Sequence, residues 1–195
     1  MEVKTVTDLS AEPVLLAVAK NHIKATYGTD ATEDTLINRQ IKAARILCEK
    51  YCNRSLGAKT LQIFFHGDEV IGNRVKLPYG PHGTISEVVK VNYQGTETAL
   101  VLNTGYYSYG AEFKELSFLS ASVNPWADGA ILRDDYKVTL AAGYGTTGLE
   151  ALPGIYLEAI CKLVGEWYLS REDYMPVMTS EVKRLLSVVS GNIEI

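Results

Sequence analysis

An apolar helical face near the C-terminal end, too wide for one neighbour, limits most what this chain can fold into. Tyr156, Ile160, Leu163 and Trp167 recur at helical spacing, and Leu157, Val164 and Tyr168 widen the stripe. A helix opening at Pro153 with such a face needs partners on more than one side. The next segment, starting after Thr179 or Ser180, supplies only Val182, Leu185, Leu186 and Val189. The missing partner lies far upstream. There Ile37, Ile41, Ala44, Cys48 and Tyr51 follow at spacings of four, three, four and three, one stripe on a helix of 3.6 residues per turn. Thr32 is its expected N-cap, with Glu33 and Asp34 in the first turn, where negative charge meets exposed N–H groups. The helix is expected to stop between Asn53 and Gly57. An earlier helix is expected from about Ser10, with Pro13 in its first turn and Leu15, Leu16, Val18, Ala19 and Ile23 on its apolar side, interrupted by Gly28.

Between these ends the chain changes character. Residues 60–65, 75–77, 85–93, 99–102 and 136–142 are β-branched or alternate, and Gly67-Asp68, Gly72-Asn73, Tyr79-Gly80-Pro81 and Gly95 punctuate them. The period-two pattern of Val89 to Tyr93 leaves one face solvated, as in antiparallel sheets. The expected fold class is therefore α+β. A helical layer is built by both chain ends, residues 1–57 and 151–195. An antiparallel β region, residues 58–150, is inserted between them as a small sandwich or barrel-like sheet.

Chemistry-bearing patterns are weak. Gly143-Tyr144-Gly145-Thr146-Thr147-Gly148 matches a dinucleotide fingerprint in letters, but Leu152-Pro153 intervenes before the helix and no strand follows that helix, so the glycines read as a strand-to-helix link. Cys48 and Cys52 share a helical face, yet structural zinc needs about four ligands and Cys161, His22, His66 and His82 are scattered; the thiols read as small core residues. The adjacent acids Asp134-Asp135 and Glu172-Asp173 do not converge, because neighbours on a strand point to opposite faces. No catalytic, cofactor or metal site is expected. The net charge of −4, with no basic run longer than Lys183-Arg184, does not attract DNA phosphates over the whole surface. No apolar stretch reaches 18 residues and the first residues lack a signal-peptide pattern, so a protein made and kept in the cytoplasm is expected, with no membrane span. Three sparse cysteines argue against a disulfide framework.

The ordered set of segments resembles the phage head–tail connector family, also called adaptor or head-completion proteins. Lys20-Asn21-His22-Ile23-Lys24 looks like its first-helix pattern. Glu33-Asp34-Thr35-Leu36-Ile37 and Ile41-Lys42-Ala43-Ala44 look like its second helix, and Tyr51-Cys52-Asn53-Arg54-Ser55-Leu56 like the segment closing it. Val138-Thr139-Leu140-Ala141-Ala142-Gly143-Tyr144 resembles the last strand and turn. Leu152-Pro153, Ala159-Ile160 and Glu166-Trp167-Tyr168-Leu169-Ser170-Arg171-Glu172 resemble the final block. The match runs from about residue 13 to residue 173; residues 59–135 and the tail beyond Tyr174 depart from it.

The resemblance implies a structural subunit of a virion neck: a ring, usually of twelve copies, docked on the portal protein, extending the DNA channel and receiving the next neck or tail component. DNA would pass without sequence-specific contact. Other readings are a different neck or tail-completion ring, a small-ligand enzyme or a DNA-packaging factor. Candidate interface residues are Trp167, Tyr168 and Arg171 at the end of the wide-faced helix, with packing the favoured role for Trp167 and a subunit contact or helix-end cap for Arg171. The cluster Tyr106, Tyr107 and Tyr109, and Ile193 and Ile195 in a C-terminal segment expected to dock on a partner, complete the set.

Overall fold

The computed structural model describes residues 1–23, 31–92, 94–110, 112–119, 135–145, 152–170 and 177–189. Two compact units emerge, one from Met1–Leu9 with Ala58–Glu150, the other from Ser10–Gly57 with Ala151–Ile195. The fold is α+β, with four helices and two open antiparallel sheets among the described residues.

In the helical unit, α1 (Leu16–His22), α2 (Ala31–Cys52), α3 (Gly154–Leu169) and α4 (Ser180–Ser187) pack together, so helices from the two chain ends share one core. Ile37, Ile41, Ala44 and Cys48 of α2 are buried, as are Tyr156, Ile160, Leu163, Val164 and Trp167 of α3. Tyr51, expected on the α2 stripe, is half-exposed, and Cys52 is buried one position on. The two acids in the first turn of α2 do more than meet the helix dipole. Glu33 accepts from the Tyr168 hydroxyl at 3.2 Å, tying α2 to α3, and Asp34 pairs with Lys20 of α1. At the other end Asn53 adopts φ 51 and the Arg54 N–H reaches back to Glu49 O at 3.1 Å, a left-handed stop of the Schellman kind. Thr179 caps α4, its hydroxyl accepting from the Val182 N–H.

The first helix differs from expectation: α1 starts at Leu16, not near Ser10. Glu12 precedes a proline, which disfavours helical backbone there. Its carboxylate is also held by Arg45 of α2 through Nε at 2.7 Å and Nη2 at 3.2 Å. Arg45 is 1% exposed; its Nη1 also donates to Glu49 at 3.0 Å, and the second oxygen of Glu49 accepts the Leu56 N–H at 2.9 Å. One buried guanidinium thus joins the segment before α1, the middle of α2 and the turn after it.

In the β unit, β1 (Glu2–Thr7), β2 (Lys59–His66), β8 (Asp135–Ala142), β4 (His82–Val91) and β5 (Glu97–Ala99) form a five-stranded sheet in the order β1-β2-β8-β4-β5. A second sheet has the order β3-β7-β6, from β3 (Arg74–Lys76), β7 (Glu115–Phe118) and β6 (Tyr106–Tyr109). The sheets meet over one core. Leu61, Ile63, Phe65, Val88, Tyr136, Val138, Leu140 and Ala142 come from the large sheet, and Val75, Tyr106, Leu116 and Phe118 from the small one. Phe65 stacks on Tyr136 at 5.4 Å between centroids, and Phe118 tilts against Tyr136 at 4.9 Å. Such pairs add about 0.5–1.5 kcal/mol each beyond area burial. Three strands escaped the pattern reading. β1 comes from residues assigned to the helical part, and β6 and β7 from a stretch in which no strand was expected. The strand expected at 99–102 lies earlier, at Glu97–Ala99.

Arg45→Ala removes the guanidinium from Glu49, which is itself 5% exposed. Breaking one side of a buried ion pair costs about 3–5 kcal/mol. Urea denaturation is expected to show a loss of that size; a loss below about 1 kcal/mol would contradict the role given to this network.

Candidate functional site

Strand register decides where the candidate residues point. Tyr106, Tyr107, Ser108 and Tyr109 of β6 face Phe118, Ser117, Leu116 and Glu115 of β7. Side chains alternate along a strand. Tyr106 therefore enters the sandwich core, 6% exposed, while Tyr107 and Tyr109 stand on the outer face at 37% and 52%, their rings 6.3 Å apart. On α3, Trp167 is 4% exposed, inside the helical core, and the half-buried Tyr168 gives its hydroxyl to Glu33. Of the tyrosine cluster, then, two rings share a surface and one is core. Arg171, Ile193 and Ile195 lie outside the described residues, as do Asp134, the Glu172-Asp173 pair and the second half of the glycine motif. Gly143 and Gly145 both have positive φ, as a bend after β8 requires.

An open groove of about 600 Å³ lies at one end of the five-stranded sheet, bordered by Phe64, Val91, Glu97, Tyr136 and Lys137 among others. Three ion pairs lie among its charged groups. The Lys137 ammonium reaches both Glu97 oxygens at 2.9 and 3.0 Å, His66 Nδ1 lies 2.6 Å from Asp135, and the Met1 amine lies 2.5 Å from Glu69. The hydrogen bond to Asp135, and then its charge, raise the His66 pKa above the usual 6.5. The amine's hydrogen bond holds Glu69 below the ordinary carboxylate value.

His82, one of the scattered histidines, opens β4 and is 1% exposed. Its Nε2–H donates to the Pro78 carbonyl at 2.8 Å and its Nδ1 accepts the Lys114 N–H at 3.0 Å. Both ring nitrogens are thus engaged by backbone in the neutral form. Burial holds its pKa below 6.5. The buried thiols are protonated: desolvation first, with like charge nearby, pushes Cys48 up to about 12, and desolvation pushes Cys52 up to about 11. A thiol in that state is a poor nucleophile and a poor metal ligand. Among the described residues no group of three or more His, Cys, Asp or Glu could hold a metal ion, and no helix is long and apolar enough to cross a membrane.

Because folded His82 resists a proton that the unfolded chain accepts, its contribution to stability is complete above pH 6.5 and is lost as pH falls below that value. His66 works in the opposite sense, stabilising below 6.5 and losing that contribution as pH rises through its raised folded value. In a His66→Asn background, His82→Gln is expected to flatten the fall in stability between about pH 6.5 and pH 5. Denaturation at stepped pH measures this; an unchanged slope would assign the acid sensitivity to another group.

No family model and no curated protein matches the sequence. Solved structures do match the fold. A chain in the neck of an empty gene transfer agent particle, computed with C6 symmetry, aligns with TM-score 0.75 and 19% identity over 100% of this chain and 97% of that one. A chain in the neck of the native particle, computed with C12 symmetry, gives 0.72 and 20% over the same shares. A chain from the virion of the native particle gives 0.72 and 21% over 96% and 94%. Over its whole length this chain has the fold of chains from the neck and virion of gene transfer agent particles, in keeping with the head–tail connector resemblance of its sequence.

Proposed function

We propose that the protein is a non-enzymatic structural subunit of a tailed-phage or phage-like neck. It assembles as a ring, twelve copies in number, docks on the portal protein, extends the DNA channel and joins head to tail. The observation that carries this reading is the match over 100% of this chain and 97% of a neck chain. A likeness confined to the helical unit or to the sandwich would fit many proteins. Twofold agreement supports it: the ordered sequence resemblance covers segments of both units, and one neck neighbour comes from a C12 map.

The chemistry is that of a scaffold and a conduit. The protonated thiols and the backbone-locked His82 are held in unreactive states. A net charge of −4, repeated around a ring, disfavours adhesion of DNA to the bore. Synthesis in the host cytoplasm precedes incorporation into the virion.

Purified protein added to portal-bearing, DNA-filled heads that lack it is expected to be taken up as a ring, read as about twelve copies per head by quantitative mass measurement and as a ring by imaging. Failure to bind such heads would overturn the proposal. Deleting residues 190–195 is expected to weaken uptake while leaving the unfolding transition in place; unchanged uptake would remove the tail from the interface.

A further inference from the structure

The outer face of the three-stranded sheet gathers residues that lie far apart in sequence. Arg74 pairs in register with Ser117, which pairs with Tyr107; Lys76 pairs with Glu115, which pairs with Tyr109. The alternate positions Val75, Leu116 and Tyr106 are buried, so these two rows form the outward face. Ile71 extends the first row, bridged to Arg74 across the tight Gly72-Asn73 turn and 82% exposed. Bridged residues point to the same side. The face therefore carries an apolar knob at one end, an aromatic pair at the other and two cations between. Glu115 lies 3.7 Å from Arg74, leaving the patch with net positive charge on a chain whose net charge is −4.

We propose that this face docks an acidic segment of another structural protein of the particle, one that binds after this chain is in place. This rests on the neck-subunit reading. Tyr and Arg are the side chains most enriched at binding hot spots, and here they are held on strands rather than loops. Adjacent strands are about 4.8 Å apart, so Ile71 and Tyr107 lie roughly 15 Å apart. That spans one partner segment. With its two rows about 7 Å apart along the strands, the face covers on the order of a few hundred Å², far less than the roughly 2,000 Å² or more of an obligate subunit interface, so it fits a later-arriving component better than a neighbouring copy. Carboxylates on the segment complement Arg74 and Lys76, while its apolar residues cover Tyr107, Tyr109 and Ile71. Unpaired bases would also stack on the tyrosines, and the test separates that occupant from an acidic segment.

The test uses heads filled with DNA but lacking this protein, supplied with wild type, Tyr107→Ala/Tyr109→Ala or Arg74→Glu/Lys76→Glu, then with purified tails. Both variants are expected to enter heads at wild-type copy number and to lower tail joining at least tenfold. Tyr107→Phe/Tyr109→Phe is expected to join tails as wild type does. Normal tail joining by the two disruptive variants overturns the proposal. Loss of entry into heads also overturns it, assigning the face to ring or portal contacts. Retention of a single-stranded oligothymidine by wild type, abolished in the tyrosine variant, overturns it in favour of nucleic acid. If wild type itself does not enter heads, the neck-subunit reading fails first, and that outcome is separately visible.

Discussion

The helical unit depends on a guanidinium taken out of water. Arg45 sits at 1% exposure in the middle of α2, and desolvating that charge is tolerable only because two carboxylates and their geometry compensate. Glu12 meets it with a fork of two hydrogen bonds and Glu49 with a third. Glu49 then uses its remaining oxygen on the Leu56 N–H, stabilising the turn beyond the Asn53 stop. The path of the chain into α1 and its path out of α2 are therefore set by one side chain. Apolar burial glues α2 to α3, but it is non-directional and would tolerate several entries and exits. The ion network selects one.

The β unit solves a different problem. The three-stranded sheet has one apolar face, and it buries that face, through Val75, Tyr106, Leu116 and Phe118, on the larger sheet. Tyr136, Phe65 and Phe118 form a mutually contacting aromatic triangle at the centre. Once that inner face is committed, strict alternation leaves the outer face free to carry whatever chemistry a partner requires.

Helices were more legible in the sequence than strands, for physical reasons visible residue by residue. The α2 and α3 stripes repeat over several turns, and a 3.6 period cannot be mistaken over that length. The stop at Asn53 and the Thr179 cap are local signals. The start of α1 was misplaced because Ser10 and Pro13 make a sound local case, whereas the contact that overrules it comes from Arg45, 33 residues beyond Glu12. β6 was hidden because tyrosine serves both faces: Tyr106 is core and Tyr107 is surface, so Tyr-Tyr-Ser-Tyr shows no alternation of polarity. β1 was hidden because almost all of it is exposed; only pairing with β2 gives it order. The outer face of the small sheet could not have been read at all, since Arg74, Ser117 and Tyr107 become neighbours only through two strand registers.

The alternation in β3, β6 and β7 has an evolutionary corollary. Substitutions at 74, 76, 107, 109, 115 and 117 change the outer face without touching a single buried side chain of the sandwich. Stability and surface chemistry are thus carried by disjoint sets of positions on the same three strands. Mutations can accumulate on one set without eroding the other. A lineage carrying this sheet can alter its outer surface in single steps, each nearly neutral for folding.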